Sequence, residues 1–183
     1  TSPLIRDTAW SLNTARKAES IINGQLKFSC NGNGAIDVHG FAFTGSNTYS
    51  VLHLTDNNAA WTTELDISRN IFSGDASNMI SGSQIHMNTR TAKNGKIYDN
   101  YFGPSAYGNA YSQRALTIRH PDSVSIEENY FVDFYNTWFV TSELQNLEKS
   151  AGSMRLTAAY NRFENCGSLY TYAPNIMNAD SVV

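Results

Sequence analysis

At 183 residues the chain is long enough for one self-stabilising core and too short for two ordinary domains. Charged residues make up 16% and aromatics 12%, which excludes a disordered tail, and the net charge of −3 speaks against a general nucleic-acid or membrane-surface binder. No apolar run reaches the roughly 18 residues that a membrane-spanning helix needs.

The chain opens on Thr1 with neither an initiating Met nor a signal peptide, as expected of a piece processed or excised from a longer protein. In "DTAWSLNTARKAESIING", Asp7 or Thr8 can serve as an N-cap. Trp10, Ala18, Ile21 and Ile22 supply apolar contacts, and Gly24 supplies a stop. A short helix is expected here, with residues 1–25 capping the remainder of the chain.

From there the sequence repeats. The segments "AIDVHGFAF", "ELDISRNIF", "GKIYDNYF", "SVSIEENYF" and "RLTAAYNRF" end on Phe43, Phe72, Phe102, Phe131 and Phe163, spaced 29, 30, 29 and 32 residues apart. Seven positions before each Phe stand Ile36, Leu65, Gly95, Val124 and Leu156; five before stand Val38, Ile67, Ile97, Ile126 and Ala158. Both columns are expected to face inward. Six before stand Asp37, Asp66, Lys96, Ser125 and Thr157, mostly polar, so each segment reads as a period-two strand with one wet face. Two before stand Phe41, Asn70, Asn100, Asn129 and Asn161. Asparagine tolerates the left-handed backbone of a tight corner, and its amide can bond the backbone and the Asn of the next repeat, forming a ladder.

A second strand follows in most repeats, at "SVLHLT", "SQIHMN", "RALTIR", "TWFVTS" and "LYTYA". No amphipathic helix of crossover length separates these strands, which removes the α/β alternatives. Residues 26–183 are therefore expected to form one all-β domain. Its strands stack in parallel as a solenoid of about five or more rungs, each rising about 4.8 Å. The tail "YAPNIMNADSVV" carries no capping pattern and would leave an open sheet edge. A homo-oligomer or further rungs are expected to cover it. Cys30 and Cys166 fit no metal spacing; separately buried thiols are the plainer reading and a disulfide the other.

In a packed coil, function falls to outward side chains and loops. Between Gln84 and His120 lie Arg90, Lys93, Lys96, Arg114 and Arg119 against Asp99 alone, a local +4 that leaves −7 for the rest of the chain. Such a patch suits an anionic ligand, with a solvated face as the alternative. Aligned second strands place Leu52, Ile85 and Leu116, then Leu54, Met87 and Ile118, in inward columns. His53, His86 and Thr117 then share one outward column, and Thr55, Asn88 and Arg119 share the next. Arg119 and His86 become diagonal neighbours on a wet face, with His120 at the corner beyond. Stacked polar side chains are the bland account of the two histidines. The loop "GPSAYGNAYSQ" offers Tyr107 and Tyr111 for stacking on sugar rings. Asp37, Glu64 and Asp66 form an acidic group on the other wet face, either Ca²⁺ ligands or solvated side chains; no other cofactor is expected.

The asparagine ladder, the Asn-x-Phe corner and the repeat resemble the right-handed parallel β-helix proteins, the pectate-lyase-like superfamily of pectate lyases, chondroitinase-type lyases and phage tailspikes. The resemblance covers roughly residues 26 to 175. A second, local likeness is to the chondroitinase B and alginate lyase family, in which a strand ends in Leu-Arg-His-Gly and an Asn-x-Phe corner follows. Here Ile118, Arg119, His120 and Pro121 stand in those places, followed by Asn129 and Phe131. The likeness implies that Arg119 acts at a substrate carboxylate. It implies a secreted or cell-surface polysaccharide lyase cleaving a uronate-containing glycan by β-elimination. In that reading His86 or His120 is the base, and Arg90, Lys93, Lys96, Arg114, Tyr107, Tyr111 and His53 bind the chain. The alternative is a non-catalytic glycan-binding, adhesin or tailspike-like surface protein.

Overall fold

A computed structural model describes residues 20–30, 34–44, 50–56, 63–73, 83–88, 94–103, 114–119, 123–134, 136–141, 155–166, 168–172 and 178–182. After β1 (Ser20–Ile22), a first pass of the chain runs through β2 (Leu26–Cys30), β3 (Gly34–His39) and β4 (Phe41–Phe43). A second comprises β5 (Leu52–Asp56), β6 (Thr63–Ser68) and β7 (Ile71–Phe72). A third comprises β8 (Ser83–Asn88), β9 (Gly95–Tyr98) and β10 (Tyr101–Phe102). The fourth is β11 (Arg114–Arg119), β12 (Ser123–Glu127) and β13 (Tyr130–Val132). The fifth is β14 (Asn136–Thr141), β15 (Arg155–Ala159) and β16 (Arg162–Glu164), and β17 (Ser168–Tyr172) and β18 (Asn178–Val182) come last.

Every third strand belongs to the same sheet. Sheet A is β1-β4-β7-β10-β13-β16, sheet B is β2-β5-β8-β11-β14-β17, and sheet C is β3-β6-β9-β12-β15-β18. All pairings are parallel. The protein is thus all-β with parallel sheets, an order compatible with a β-helix. No described residue is helical, and none lies in a helix long and apolar enough to cross a membrane.

The interior is made of the expected columns. Phe43, Phe72, Phe102 and Phe131 are completely buried, and their rings stack at 4.8 Å from one to the next, with Phe163 another 5.2 Å on. Ring pairs of this kind contribute about 0.5–1.5 kcal/mol each beyond the area they bury. Val38, Ile67, Ile97, Ile126 and Ala158 line up across sheet C and are buried, as are Leu52, Ile85 and Leu116 across sheet B.

Three points differ from expectation. Each repeat holds three strands: the Asn-x-Phe motif is a corner followed by a short strand, so the phenylalanines form a sheet of their own. Ser20–Ile22, expected to end a helix, is strand β1 in register with Phe41–Phe43. Pairing with sheet A outweighs helix propensity there, while residues 7–19 of the expected helix lie outside the described residues. The left-handed residues at the corners are Arg69, Asp99, Glu128 and Tyr160, at φ of 55 to 57°, one position before each asparagine.

The asparagines work instead through their amides. Asn100 Oδ1 accepts from Asn70 N (3.0 Å) and Asn70 Nδ2 (3.1 Å), while Asn100 Nδ2 donates to the carbonyls of Ile67 (2.8 Å) and Tyr98 (2.9 Å) and to Asn129 Oδ1 (3.0 Å). Asn129 repeats the pattern with Asn161 above and Ile97 below. These bonds satisfy backbone groups that the sharp turn takes out of the sheets, and they are completely buried at Asn70, Asn100 and Asn129. Cys166 is a free, half-buried thiol whose Sγ donates to the carbonyls of Phe131 and Glu164, so the separate-thiol reading holds for it and the disulfide does not.

Candidate functional site

The outer face of sheet B gathers the groups with the most chemistry. Its register runs Lys27, His53, His86, Thr117 along one column and Ser29, Thr55, Asn88, Arg119 along the next. Arg119 is therefore one strand across and two residues along from His86, as the aligned repeats predicted. For His86, Arg114 and Arg119 only the backbone register is described; His120, Arg90, Lys93, Tyr107 and Tyr111 lie outside the described residues.

Burial along this face is graded. Lys27 is exposed, His53 is half-buried, and Thr117 is 1% exposed with Ala115 beside it at 0%. The expectation of a wet face therefore fails at β11, where both sides of the sheet are covered. Thr117 Oγ1 is buried and has no hydrogen-bond partner among the described residues. The face passes from a wet margin at Lys27 to a dry stretch at Thr117, beyond which the same column continues to Phe139 and Tyr170. Burial, and secondarily the charge of Lys27, lowers the pKa of His53, so its imidazole is neutral near pH 7 and can accept a proton or hydrogen bond.

Lys96 does not join this face. It lies on β9 in sheet C, opposite Asp66 on one side and Ser125 on the other, and so on a different sheet from Arg114 and Arg119. Around it is a shallow, open groove of about 500 Å³ lined by Ala35, Ile36, Asp37, Glu64, Leu65, Asp66, Asn94 and Lys96. The expected Ca²⁺ ligands are here, but they do not converge. Asp37 Oδ1 accepts from His39 Nδ1 at 2.8 Å, and Asp66 aligns with Lys96. Among the described residues no three His, Cys, Asp or Glu side chains come together as a metal site.

Lys27 had no place in the sequence reading, and Asp99 entered it only as the one acid counted in the basic stretch. Lys27 completes the histidine column by one further pass, and extending the alternation back through "LKFSC" would have found it. Asp99 occupies a left-handed corner with Oδ1 buried and unpartnered among the described residues. Burial, then the neighbouring Glu128, raises its pKa to about 6, against the opposing pull of Arg69. No period or motif marked that position.

No family model matches the chain, and neither a curated protein nor a solved structure shows significant similarity to it.

Proposed function

We propose that the chain is a right-handed parallel β-helix that binds an acidic, uronate-containing glycan across the outer face of sheet B and cleaves it by β-elimination. The handedness follows from the rule that crossovers between parallel strands of one sheet are nearly always right-handed. The observation carrying the function is the register that brings Lys27, His53 and His86 into one file with Arg119 diagonal to it. Lys27 at the open margin draws in a polyanion, and the covered stretch at Thr117 supplies a drier environment in which charge interactions strengthen.

The roles follow from acid–base chemistry. Elimination removes the proton on the carbon next to the uronate carboxylate, forms a carbon–carbon double bond and expels the glycosidic oxygen, which takes up a proton. Arg119 suits the carboxylate, because a guanidinium grips both oxygens and stabilises the charge that develops as the proton leaves. It is a poor base, since its pKa lies above about 12. His86 or His120 takes the proton, His53 and Lys27 hold the neighbouring sugar, and Tyr107 or Tyr111 protonates the leaving oxygen. Such substrates place the protein in a secreted or cell-surface setting.

The test is incubation with a panel of uronate polysaccharides, following the ultraviolet absorbance of the new conjugated double bond and, separately, binding. A rise with wild type that disappears in Arg119→Ala supports the reading. Binding with no rise on any substrate makes the protein a non-catalytic glycan-binding surface module. Arg119→Ala that preserves both activity and binding places the site elsewhere.

A further inference from the structure

Away from sheet B, the surface is hollowed over β3, β6 and β9 of sheet C, in the groove of about 500 Å³ around Lys96. Its outward side chains form a small grid. Asp37, Asp66 and Lys96 stand opposite one another on the three strands, and Ala35, Glu64 and Asn94 stand two residues earlier in the chain. They alternate with the buried Val38, Leu65, Ile67, Gly95 and Ile97, which puts them on the outer face.

The grid is costly as structure alone. Asp37 and Asp66 set two like charges directly opposite in register, which a sheet disfavours. Asp66 Oδ1 is shielded from solvent and has no hydrogen-bond partner among the described residues. Lys96, its register neighbour of opposite charge, forms no ion pair with it among the described residues. A carboxylate drawn partly out of water without a partner is a cost that a cation seated against it would offset. Asn94 is fixed at the margin by Ser123, whose Oγ accepts from Asn94 N at 3.0 Å and donates to Asn94 Oδ1 at 3.3 Å.

We propose that this groove binds an amino sugar with a free amine. The ammonium seats at Asp66, between Asp37 across the strand pair and Glu64 along the strand, where three carboxylates face the one ammonium of Lys96. Lys96 and Asn94 stand beside these acids as donors, so the ligand needs oxygen acceptors next to its cation, which the hydroxyls flanking a sugar amine supply. Other cations fit less well. A hard metal ion needs converging ligands, and the acids do not converge as a metal site among the described residues. A polyamine brings a second cation against Lys96. A lone small amine leaves most of a groove of about 500 Å³ unfilled.

The groove lies on a different sheet from Arg119, so its failure leaves the lyase reading standing. The test is titration calorimetry on the full chain at about pH 6, where such an amine is protonated, with glucosamine, N-acetylglucosamine, glucose, ethanolamine and Ca²⁺. Glucosamine should bind at least about tenfold more tightly than N-acetylglucosamine or glucose, the scale of one charged hydrogen bond. Asp66→Asn, of nearly the same shape, should remove that preference and keep the wild-type circular dichroism. Glu64→Gln, at an exposed position, should weaken glucosamine by about twofold to fivefold, the range of an exposed charge pair. No heat with glucosamine, equal binding of N-acetylglucosamine, ethanolamine as tight as glucosamine, displacement of glucosamine by an equal concentration of Ca²⁺, or a preference that survives both substitutions would each overturn the proposal.

Discussion

The asparagine corner and the outer face of sheet B are built on the same vertical register but differ in what they repeat. At the corner each residue lies next to a copy of itself: Asn70 on Asn100 on Asn129, Phe72 on Phe102 on Phe131. Identical neighbours satisfy identical needs, so the pattern propagates. On sheet B the positions recur while the residue type varies, with Lys27, His53, His86 and Thr117 in one column, and the side chains described there go from exposed at Lys27 through half-buried at His53 to buried at Thr117. Repetition of residue type holds the stack together; departure from it leaves a place for a ligand.

If the corner carries the stability, truncation there should cost most. Phe102→Ala removes a ring stacked on both sides at 4.8 Å, and should destabilise by about 3–5 kcal/mol in urea titration. Asn100→Ala should cost about 2–4 kcal/mol, because it strands the N–H of Asn70 and the carbonyls of Ile67 and Tyr98 in the interior. Loss of under 1 kcal/mol from either would break the distinction between the two regions.

The outer face should respond in the opposite sense. Thr117→Val keeps the side chain's shape and removes a buried hydroxyl with no described partner, so it should leave stability unchanged or raise it by up to about 1 kcal/mol. If Thr117 also borders the glycan site, the same change should weaken glycan binding measured by calorimetry, sharpening the contrast between structural and functional columns.

The effect expected of Asp99 depends on pH. Its folded pKa of about 6 lies above the ordinary 3.8, so between those values the native state holds a proton that the unfolded chain has released. Its contribution to stability therefore falls as pH rises from about 4 to 6 and stays low above that. Asp99→Asn should remove this slope and be more stable than wild type near neutral pH, as followed by melting temperature between pH 4 and 8.

Much of this was legible in the sequence because columns leave a period. The phenylalanine spacing fixed the inner file, and aligning "SVLHLT", "SQIHMN" and "RALTIR" gave the register of His53, His86 and Arg119. What stayed hidden lacks a repeating signal. The polar "NADSV" of β18 becomes a strand only through pairing with β15, and Ser20–Ile22 only through pairing with β4. Arg69, Asp99, Glu128 and Tyr160 have no shared preference for a left-handed backbone; the asparagine after each one supplies the bonds that hold the corner. The cover over Thr117 is likewise invisible, since alternation reports which way a side chain points and not what lies above it.

The stacked file is tested most directly by the ring-to-ring nuclear Overhauser pattern of the phenylalanines in solution. Contacts are predicted between Phe43 and Phe72, Phe72 and Phe102, and Phe102 and Phe131, residues about 30 apart in sequence, with none that skips a ring. Absence of these contacts, or a contact between Phe72 and Phe131, would contradict the stacking and remove the neighbourhood proposed for Arg119.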